Sequence, residues 1–308
     1  MATKQKGAAE DKLTNTNVVL TTLCAGAIAG ALAKTTIAPL DRTKINFQIR
    51  QEPYSAKRAL NFLRVTFKNE GFLALWRGNS ATMARIVPYA AIQFTAHEHW
   101  KKILHVDPTG KTKGKQFLSG SLAGITSQTI TYPLDLARAR MAVTQKNAYS
   151  TLRQVFIKTY KEEGLLTFYR GYIPTIIGVI PYAGVSFFTY ETLKRLYQER
   201  LDSSSLPHPI ASLGFGAVAG MLGQSSSYPL DIVRRRMQTD TFKQYNSILE
   251  TLRVIYKYEG VKGGFFKGLS MNWIKGPIAV GISFATYDHT KGMIETIVTD
   301  IKQIKWNY

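Results

Sequence analysis

Cysteine is nearly absent from this chain of 308 residues, which has a single one, Cys24. A disulfide scaffold and a multi-thiolate zinc or iron-sulfur site both need several sulfurs at set spacings, so the sequence excludes both. Cys24 has no histidine near it in the sequence, and no Gly-x-Ser-x-Gly, Walker or Rossmann run is present. We therefore predict no enzyme, no metal and no cofactor.

Acidic residues are also scarce, since 20 Asp and Glu stand against 40 Lys and Arg, a net charge of +20. Hydrophobic residues make up 45% of the chain, which excludes a disordered basic tail. The mean hydropathy is only −0.10, but this average combines basic segments with apolar stretches such as 18–40 and 171–190. Each stretch has roughly the 20 residues that a membrane helix needs. Residues 1–17 resemble neither a signal peptide nor an arginine-rich presequence, so we expect internal targeting.

One motif, Pro-x-acid-x-x-base, occurs three times at nearly equal spacing, at Pro39, Pro133 and Pro229. Two glycines four residues apart precede each proline, a pattern that lets membrane helices approach closely. An acid-Gly pair and then an aromatic-base-Gly element follow in every copy. Such periodicity indicates a protein built from repeats. The boundaries that we predict are a tail at 1–16, repeats at 17–112, 113–207 and 208–300, and a tail at 301–308.

Each repeat is predicted to contain a long glycine-rich helix broken at its proline, a short amphipathic helix and a second long helix. In the first repeat Leu60, Leu63 and Phe67 lie at helical spacing among basic residues, as suits a helix on a membrane surface. The predicted fold is an all-α membrane protein with six transmembrane helices in three tandem pseudo-threefold repeats.

These motifs resemble the signature of the mitochondrial carrier family, which has the same proline motif and the same two following elements in each of three repeats. The resemblance covers about residues 17–297. It implies a multi-pass protein of the mitochondrial inner membrane that functions as a monomer, with the short amphipathic helices on the matrix side. Within the family, the runs LWRGNSATMARIVPYAAIQFTAHE and GLSMNWIKGPIAVGISF resemble members that carry coenzyme A, which are similar in turn to carriers of ADP/ATP and ATP-Mg/phosphate.

Two sets of charged residues predict two gates. A charge inside a membrane helix is costly, so it normally faces a cavity and pairs. The alternative, static ion pairs, does not require a second and oppositely placed ring, which this sequence has. The resemblance implies that one ring closes the matrix side and the other the cytoplasmic side, in alternation. The matrix ring comprises Asp41, Lys44, Asp135, Arg138, Asp231 and Arg234, and the cytoplasmic ring comprises Glu98, Lys101, Glu191, Lys194, Asp288 and Lys291.

The family pattern also implies partners within each ring. The expected matrix pairs are Asp41 with Arg138, Asp135 with Arg234, and Asp231 with Lys44. Glutamines brace such pairs in the family, and here Gln48 and Gln238 occupy two brace positions while Ala142 occupies the third. On the cytoplasmic side, Tyr190 and Tyr287 are the expected braces.

The substrate site is predicted where the threefold pattern fails. Arg85, Gly178 and Lys275 occupy equivalent positions in the three repeats, and Lys34 has only uncharged equivalents. Three cations at similar depth would bind an anion, because arginine contacts phosphate bidentately and lysine supplies a point charge.

A surface without side chains at Gly178, next to Val179, suits a flat base, and the resemblance implies an adenine pocket there with Tyr182 stacking on it. The alternatives are ordinary helix packing at the glycine and an ordinary interior aromatic at the tyrosine.

The aromatic-base-Gly elements begin helices, where free backbone N–H groups and the helix dipole attract phosphate. In the family these positions hold cardiolipin head groups, so we predict lipid binding rather than a simple aromatic anchor with a snorkelling base. The predicted lipid-binding residues are Arg77, Gly78, Arg170, Gly171, Lys267 and Gly268.

The resulting hypothesis is a carrier that exchanges coenzyme A against adenosine 3',5'-diphosphate or ADP by alternating access. The alternative in the same class is an ATP-Mg/phosphate or ADP/ATP exchanger. A basic nucleic-acid-binding protein is the alternative of another class, but the basic residues follow a repeat of membrane-spanning size and no zinc or RNA-binding signature is present.

Overall fold

A computed structural model describes residues 2–107, 113–145, 147–200, 209–242 and 244–306. The chain divides into two compact units, Met1–Ile37 with Lys275–Tyr308 and Ala38–Ile274. Within the described residues all regular structure is helical, which confirms the all-α prediction.

Each repeat contains a long helix, a short helix and a second long helix. The first helices of the three repeats are α1 (Ala2–Ile49), α4 (Lys113–Val143) and α7 (Pro209–Thr239). The short helices are α2 (Ala56–Glu70), α5 (Leu152–Glu163) and α8 (Ile248–Gly260). The second helices are α3 (Asn79–Ile103), α6 (Tyr172–Arg200) and α9 (Leu269–Trp306).

The motif prolines do not break their helices, so that prediction is wrong. Pro39, Pro133 and Pro229 all lie inside continuous helices. A proline removes one backbone hydrogen bond and crowds the preceding turn. In the second unit, the helical segment after each proline is held by side-chain bonds to other repeats, such as that of Lys44 with Asp231, so the chain remains helical beyond the lost bond.

The short helices have defined ends. Ser55, Thr151 and Ser247 are their N-caps, and each side chain accepts a backbone N–H of the first turn. A 3-10 turn follows in the first two repeats, at Phe72–Trp76 and Leu165–Tyr169. The third repeat has one extra residue here, and its turn widens to a π-turn at Val261–Phe265.

The glycine pairs of α4 and α7 are not sites of close helix approach. A Cβ atom added at Gly120, Gly124, Gly216 or Gly220 would meet nothing within 4 Å among the described residues. The close approach of α7 to α6 occurs instead at Gly223, where an added Cβ would lie 2.9 Å from the carbonyl oxygen of Tyr182. Small residues along the pairs therefore leave open surface, whereas Gly223 sets the helix contact.

In the part of the chain that the structure describes, one helical stretch, Leu165–Arg200, is long and apolar enough by composition to cross a membrane. Other long helices carry ionised residues that lower their mean hydropathy, and in the second unit several of these are buried, among them Asp135 and Arg140. Hydropathy alone therefore does not reveal six spans.

Candidate functional site

The acids of the three proline motifs each lie against the base of another repeat, all within the second unit. The pairs are Asp41 with Arg138, Asp135 with Arg234, and Asp231 with Lys44. Lys44 Nζ lies 2.8 Å from Asp231 Oδ2, and Arg234 Nη2 lies 2.5 Å from Asp135 Oδ2. The same helix face carries an acid and a base in every repeat, so the three pairs join α1, α4 and α7 in a ring.

Two of these pairs have a glutamine beside them. Gln238 Nε2 donates to Asp135 Oδ2 at 2.7 Å, and Gln48 Nε2 donates to Asp231 Oδ2 at 3.0 Å. Ala142 stands at the third position and has no amide to donate. A glutamine therefore reinforces the ring at two of its acids, Asp135 and Asp231.

Asp135 binds more cations than the proline motif indicates. Besides Arg234, it lies 3.5 Å from Arg235 Nη1 and 3.4 Å from Arg85 Nη1. The Arg235 contact was missed in the sequence, although the run of three arginines in α7 was a signal that one of them had an additional role. Asp135 therefore lies within 3.5 Å of three arginines.

Arg85, predicted as a substrate contact, touches this ring. Its Nε donates to Thr131 Oγ1 at 3.1 Å and its Nη2 to Gln128 Oε1 at 2.5 Å. The guanidinium also lies over the ring of Tyr89, 4.8 Å from the centroid. Its side chain is 20% exposed, so the same cation is open to a ligand and bonded to Asp135.

The predicted adenine surface lies on α6. A Cβ added at Gly178 would be 3.6 Å from Leu230 Cβ, which is ordinary helix packing against α7. Val179 and Tyr182 are 46% and 41% exposed. The glycine therefore has a packing role here, and the open surface is that of its two neighbours. Lys34 and Lys275 belong to the first unit, where Lys34 is exposed and Lys275 half-buried.

Of the residues predicted for the cytoplasmic ring, two form an ion pair within one helix. Lys101 Nζ lies 2.8 Å from Glu98 Oε1, one turn away on α3, and both side chains are well exposed. On α6, Glu191 is exposed, Lys194 is half-buried, and Tyr190 packs edge-on against Phe215. Tyr287 and Lys291 lie in the first unit, and the side chain of Asp288 falls outside the described residues.

The bases of the aromatic-base-Gly elements, which are predicted as lipid contacts, bond to other parts of the protein. Arg170 Nη2 lies 2.9 Å from an Asp240 carboxylate oxygen, and Lys267 Nζ donates to the Arg50 carbonyl at 2.7 Å. Arg77 donates at 2.6 to 3.1 Å to the carbonyl oxygens of Met141, Thr144, Gln145 and Tyr149. The last carbonyls of a helix lack intrahelical partners, so a base from the preceding repeat caps each first helix.

Burial changes the pKa of two of these capping bases. Burial lowers the pKa of Arg77, and nearby Arg42 lowers it further. Burial also lowers the pKa of Lys267, while the hydrogen bond with Glu259 opposes that shift.

The glycines of the same elements have a steric role. Gly78 and Gly171 have φ of +89° and +77°, values that glycine adopts without strain. An added Cβ at Gly78 would lie 2.9 Å from the Arg138 carbonyl oxygen, and one at Gly171 would lie 2.9 Å from that of Arg234. The start of each of these two second helices therefore packs against the backbone of a base of the matrix ring, Arg138 or Arg234.

A second ring of buried arginines was missed in the sequence. Its ion pairs are Arg42 with Glu70, Arg140 with Glu163, and Arg236 with Glu259. Each guanidinium also donates its Nε to a carbonyl of the next repeat, those of Ala142, Gln238 and Gln48 respectively. The acid-Gly pair has a glutamate in all three repeats, and this was the available signal of a buried ion pair, because a buried acid needs a cation.

The first repeat builds this ring differently. Arg140 and Arg236 stand seven residues after their prolines, whereas the equivalent residue of the first repeat is Asn46. Arg42, one turn earlier, supplies the cation, and Asn46 Nδ2 donates to the same Ala142 carbonyl at 2.8 Å. Two residues therefore replace one arginine.

Comparison with known proteins gives matches over nearly the whole chain. A family profile described as "Mitochondrial carrier protein" matches residues 15–108, 110–201 and 206–297. Mitochondrial coenzyme A transporter SLC25A42 of Rattus norvegicus is 58% identical over 280 residues, 89% of this chain and 88% of the relative. The protein of the same name from Homo sapiens is 58% identical over 276 residues, 88% and 86% of the two chains. Solute carrier family 25 member 16 of Bos taurus is 40% identical over 290 residues, 88% of each.

Proposed function

Because the chain belongs to the mitochondrial carrier family, and is therefore a multi-pass transporter of the mitochondrial inner membrane and not an enzyme, we propose that it carries coenzyme A by alternating access. The family that the repeated motifs resemble is thereby confirmed. The observation that supports coenzyme A is the 58% identity, over most of both chains, to relatives named as transporters of that molecule.

The chemistry of coenzyme A suits the cation at Arg85. The molecule has a pyrophosphate and a 3'-phosphate on its adenosine, and a guanidinium binds two phosphate oxygens at once. Lys34 and Lys275 are the further phosphate contacts that we propose. Val179 and Tyr182 offer apolar and aromatic surface for the adenine, beside Gly178.

The contact between Arg85 and Asp135 suggests how binding acts on the gate. A substrate phosphate would compete with the Asp135 carboxylate for the guanidinium, because both are anionic acceptors for the same donors. Loss of Arg85 would leave Asp135 with fewer counter-ions and weaken the ring that joins α1, α4 and α7. Substrate would in this way lower the free energy needed to open the matrix gate. It can do so because it interacts differently with the closed and the open states of the gate.

The remaining features of the proposal follow the family pattern. The six long helices are the six membrane spans, the short helices lie on the matrix side, and the chain works as a monomer. The acids and bases of the cytoplasmic ring form ion pairs when the matrix ring opens. Adenosine 3',5'-diphosphate and ADP are the counter-substrates. Cardiolipin phosphates bind the helix starts at Gly78, Gly171 and Gly268 through backbone N–H groups.

Reconstitution tests the substrate. Purified protein in liposomes should take up labelled coenzyme A when the vesicles contain ADP or adenosine 3',5'-diphosphate, and should take up little when they contain neither. Uptake of labelled ATP into identically loaded vesicles distinguishes a coenzyme A carrier from a nucleotide exchanger. Uptake of ATP with no uptake of coenzyme A would refute the proposal.

A further inference from the structure

Two buried tyrosines lie beside the brace glutamines. Tyr132 and Tyr228 each precede a motif proline, and they are 0% and 1% exposed. The Tyr132 hydroxyl donates to the Arg170 carbonyl at 2.9 Å, and the Tyr228 hydroxyl donates to the Lys267 carbonyl at 2.7 Å. Each hydroxyl therefore joins the start of a second helix to a gate helix.

The direction of these bonds constrains the glutamines. A hydroxyl has one proton, and a carbonyl oxygen only accepts, so the tyrosine oxygen is left as an acceptor. Gln238 Nε2 donates to the Tyr132 hydroxyl at 2.9 Å, and Gln48 lies beside the Tyr228 hydroxyl in the equivalent arrangement. The amide nitrogen of each glutamine must therefore face its tyrosine, and from there its other hydrogen reaches the gate acid. With the opposite orientation the amide oxygen would face a carboxylate and repel it.

Tyrosine and glutamine occur together in two of the three repeat interfaces. Tyr132 of the second repeat accepts from Gln238 of the third, and Tyr228 of the third repeat lies beside Gln48 of the first. The first repeat has Ala38 in place of the tyrosine, and the position that would face it in the second repeat is Ala142. The tyrosine is present only where there is a glutamine to orient.

We infer that Tyr132 and Tyr228 are positioning residues of the matrix gate, which orient the brace glutamines so that they donate to Asp135 and Asp231. This inference rests on the proposed gate function of that ring. Each tyrosine hydroxyl donates to a backbone carbonyl and not to an acid of the ring, so its effect on the acid passes through the amide.

The two braces differ in how far they depend on their tyrosine. Gln238 Oε1 accepts from Arg235 Nη1 at 2.9 Å, so a second bond holds that amide in place. Gln48 Oε1 is buried and has no hydrogen-bond partner among the described residues. The orientation of Gln48 therefore depends on Tyr228 and Asp231 alone, and Tyr228→Phe should have the larger effect.

The test is a double-mutant cycle on Tyr228→Phe and Gln48→Ala, with Tyr169→Phe as the matched control. Tyr169 stacks on Tyr132 at 6.0 Å between ring centroids, and its hydroxyl has no hydrogen bond to a described residue. Each protein is measured by thermal unfolding in detergent without substrate and by uptake of labelled coenzyme A into liposomes. The unfolding cycle needs no transport, so it tests the inference even if coenzyme A is not the substrate.

Loss of one oriented hydrogen bond should reduce the maximal exchange rate by roughly two- to tenfold, with KM changed by less than about twofold. Tyr228→Phe should lower the unfolding temperature in both backgrounds, because the bond to the Lys267 carbonyl is lost in each, but it should lower it less in Gln48→Ala than in the wild type. Tyr132→Phe should have a smaller effect, and Tyr169→Phe almost none. Equal effects of Tyr228→Phe in both backgrounds would overturn the inference, because the hydroxyl would then act through its bond to the Lys267 carbonyl and not through the glutamine.

Discussion

Exchanging the charges of Lys44 and Asp231 tests whether the matrix ring is a gate. The two side chains are 8% and 23% exposed and their charged atoms are 2.8 Å apart. Removal of one partner of a buried pair costs about 3–5 kcal/mol, because the other charge stays enclosed without a counter-ion. The partial exposure of Asp231 favours the lower end, and about 3 kcal/mol corresponds to a factor of roughly 100 in an equilibrium.

We therefore expect Asp231→Lys and Lys44→Asp each to reduce exchange by about two orders of magnitude in reconstituted liposomes. The double swap restores the attraction and should recover part of the rate. Recovery is limited because Arg235 Nε lies 4.0 Å from Asp231 and would repel a lysine there, and because Gln48 presents an amide N–H to this position.

The pair formed by Asp41 and Arg138 is the matched comparison. Ala142 stands at its brace position, so no glutamine opposes the reversed charges. Asp41→Arg with Arg138→Asp should recover a larger fraction of its single-variant loss than the Lys44 and Asp231 swap. A double variant that transports no better than its worse single variant, while substrate still raises its unfolding temperature, would refute the pairing as a gate.

Three further predictions follow from the buried contacts. Arg85→Ala should abolish uptake of labelled coenzyme A and also lower the unfolding temperature, because buried Asp135 loses one of its counter-ions. Arg195→Ala, which changes a side chain that is 74% exposed, is the control that should transport normally. Glu163→Gln should lower the unfolding temperature strongly, because Arg140 is 1% exposed and loses its carboxylate, whereas Glu199→Gln removes an exposed pair that contributes about 0–1 kcal/mol. Arg170→Met should lower the unfolding temperature equally in detergent with and without cardiolipin, since the base caps a helix. Loss of stabilisation by cardiolipin in that variant alone would show instead that the base binds lipid.

The repeats and the partners within the matrix ring could be predicted from the sequence for a physical reason. An acid and a base three residues apart lie on one face of a helix, and three such helices related by a repeat must present those faces to one another. The spacing predicts that each acid meets a neighbour's base, and the resemblance to the carrier family implies which neighbour that is. Asp231 and Lys44 were therefore identified as partners although 187 residues separate them.

The inward bases, the second arginine ring and the tyrosine contacts depended on tertiary structure. Spacing along one helix does not determine how far its neighbour is shifted, and that shift decides whether Arg77 meets lipid or the end of α4. Arg42 illustrates the same limit, since it stands one turn away from its equivalents in the other repeats and still reaches the same kind of partners. A long flexible side chain reaches acceptors on another helix that no local pattern identifies, so only the packed repeats show which carbonyls and acids it binds.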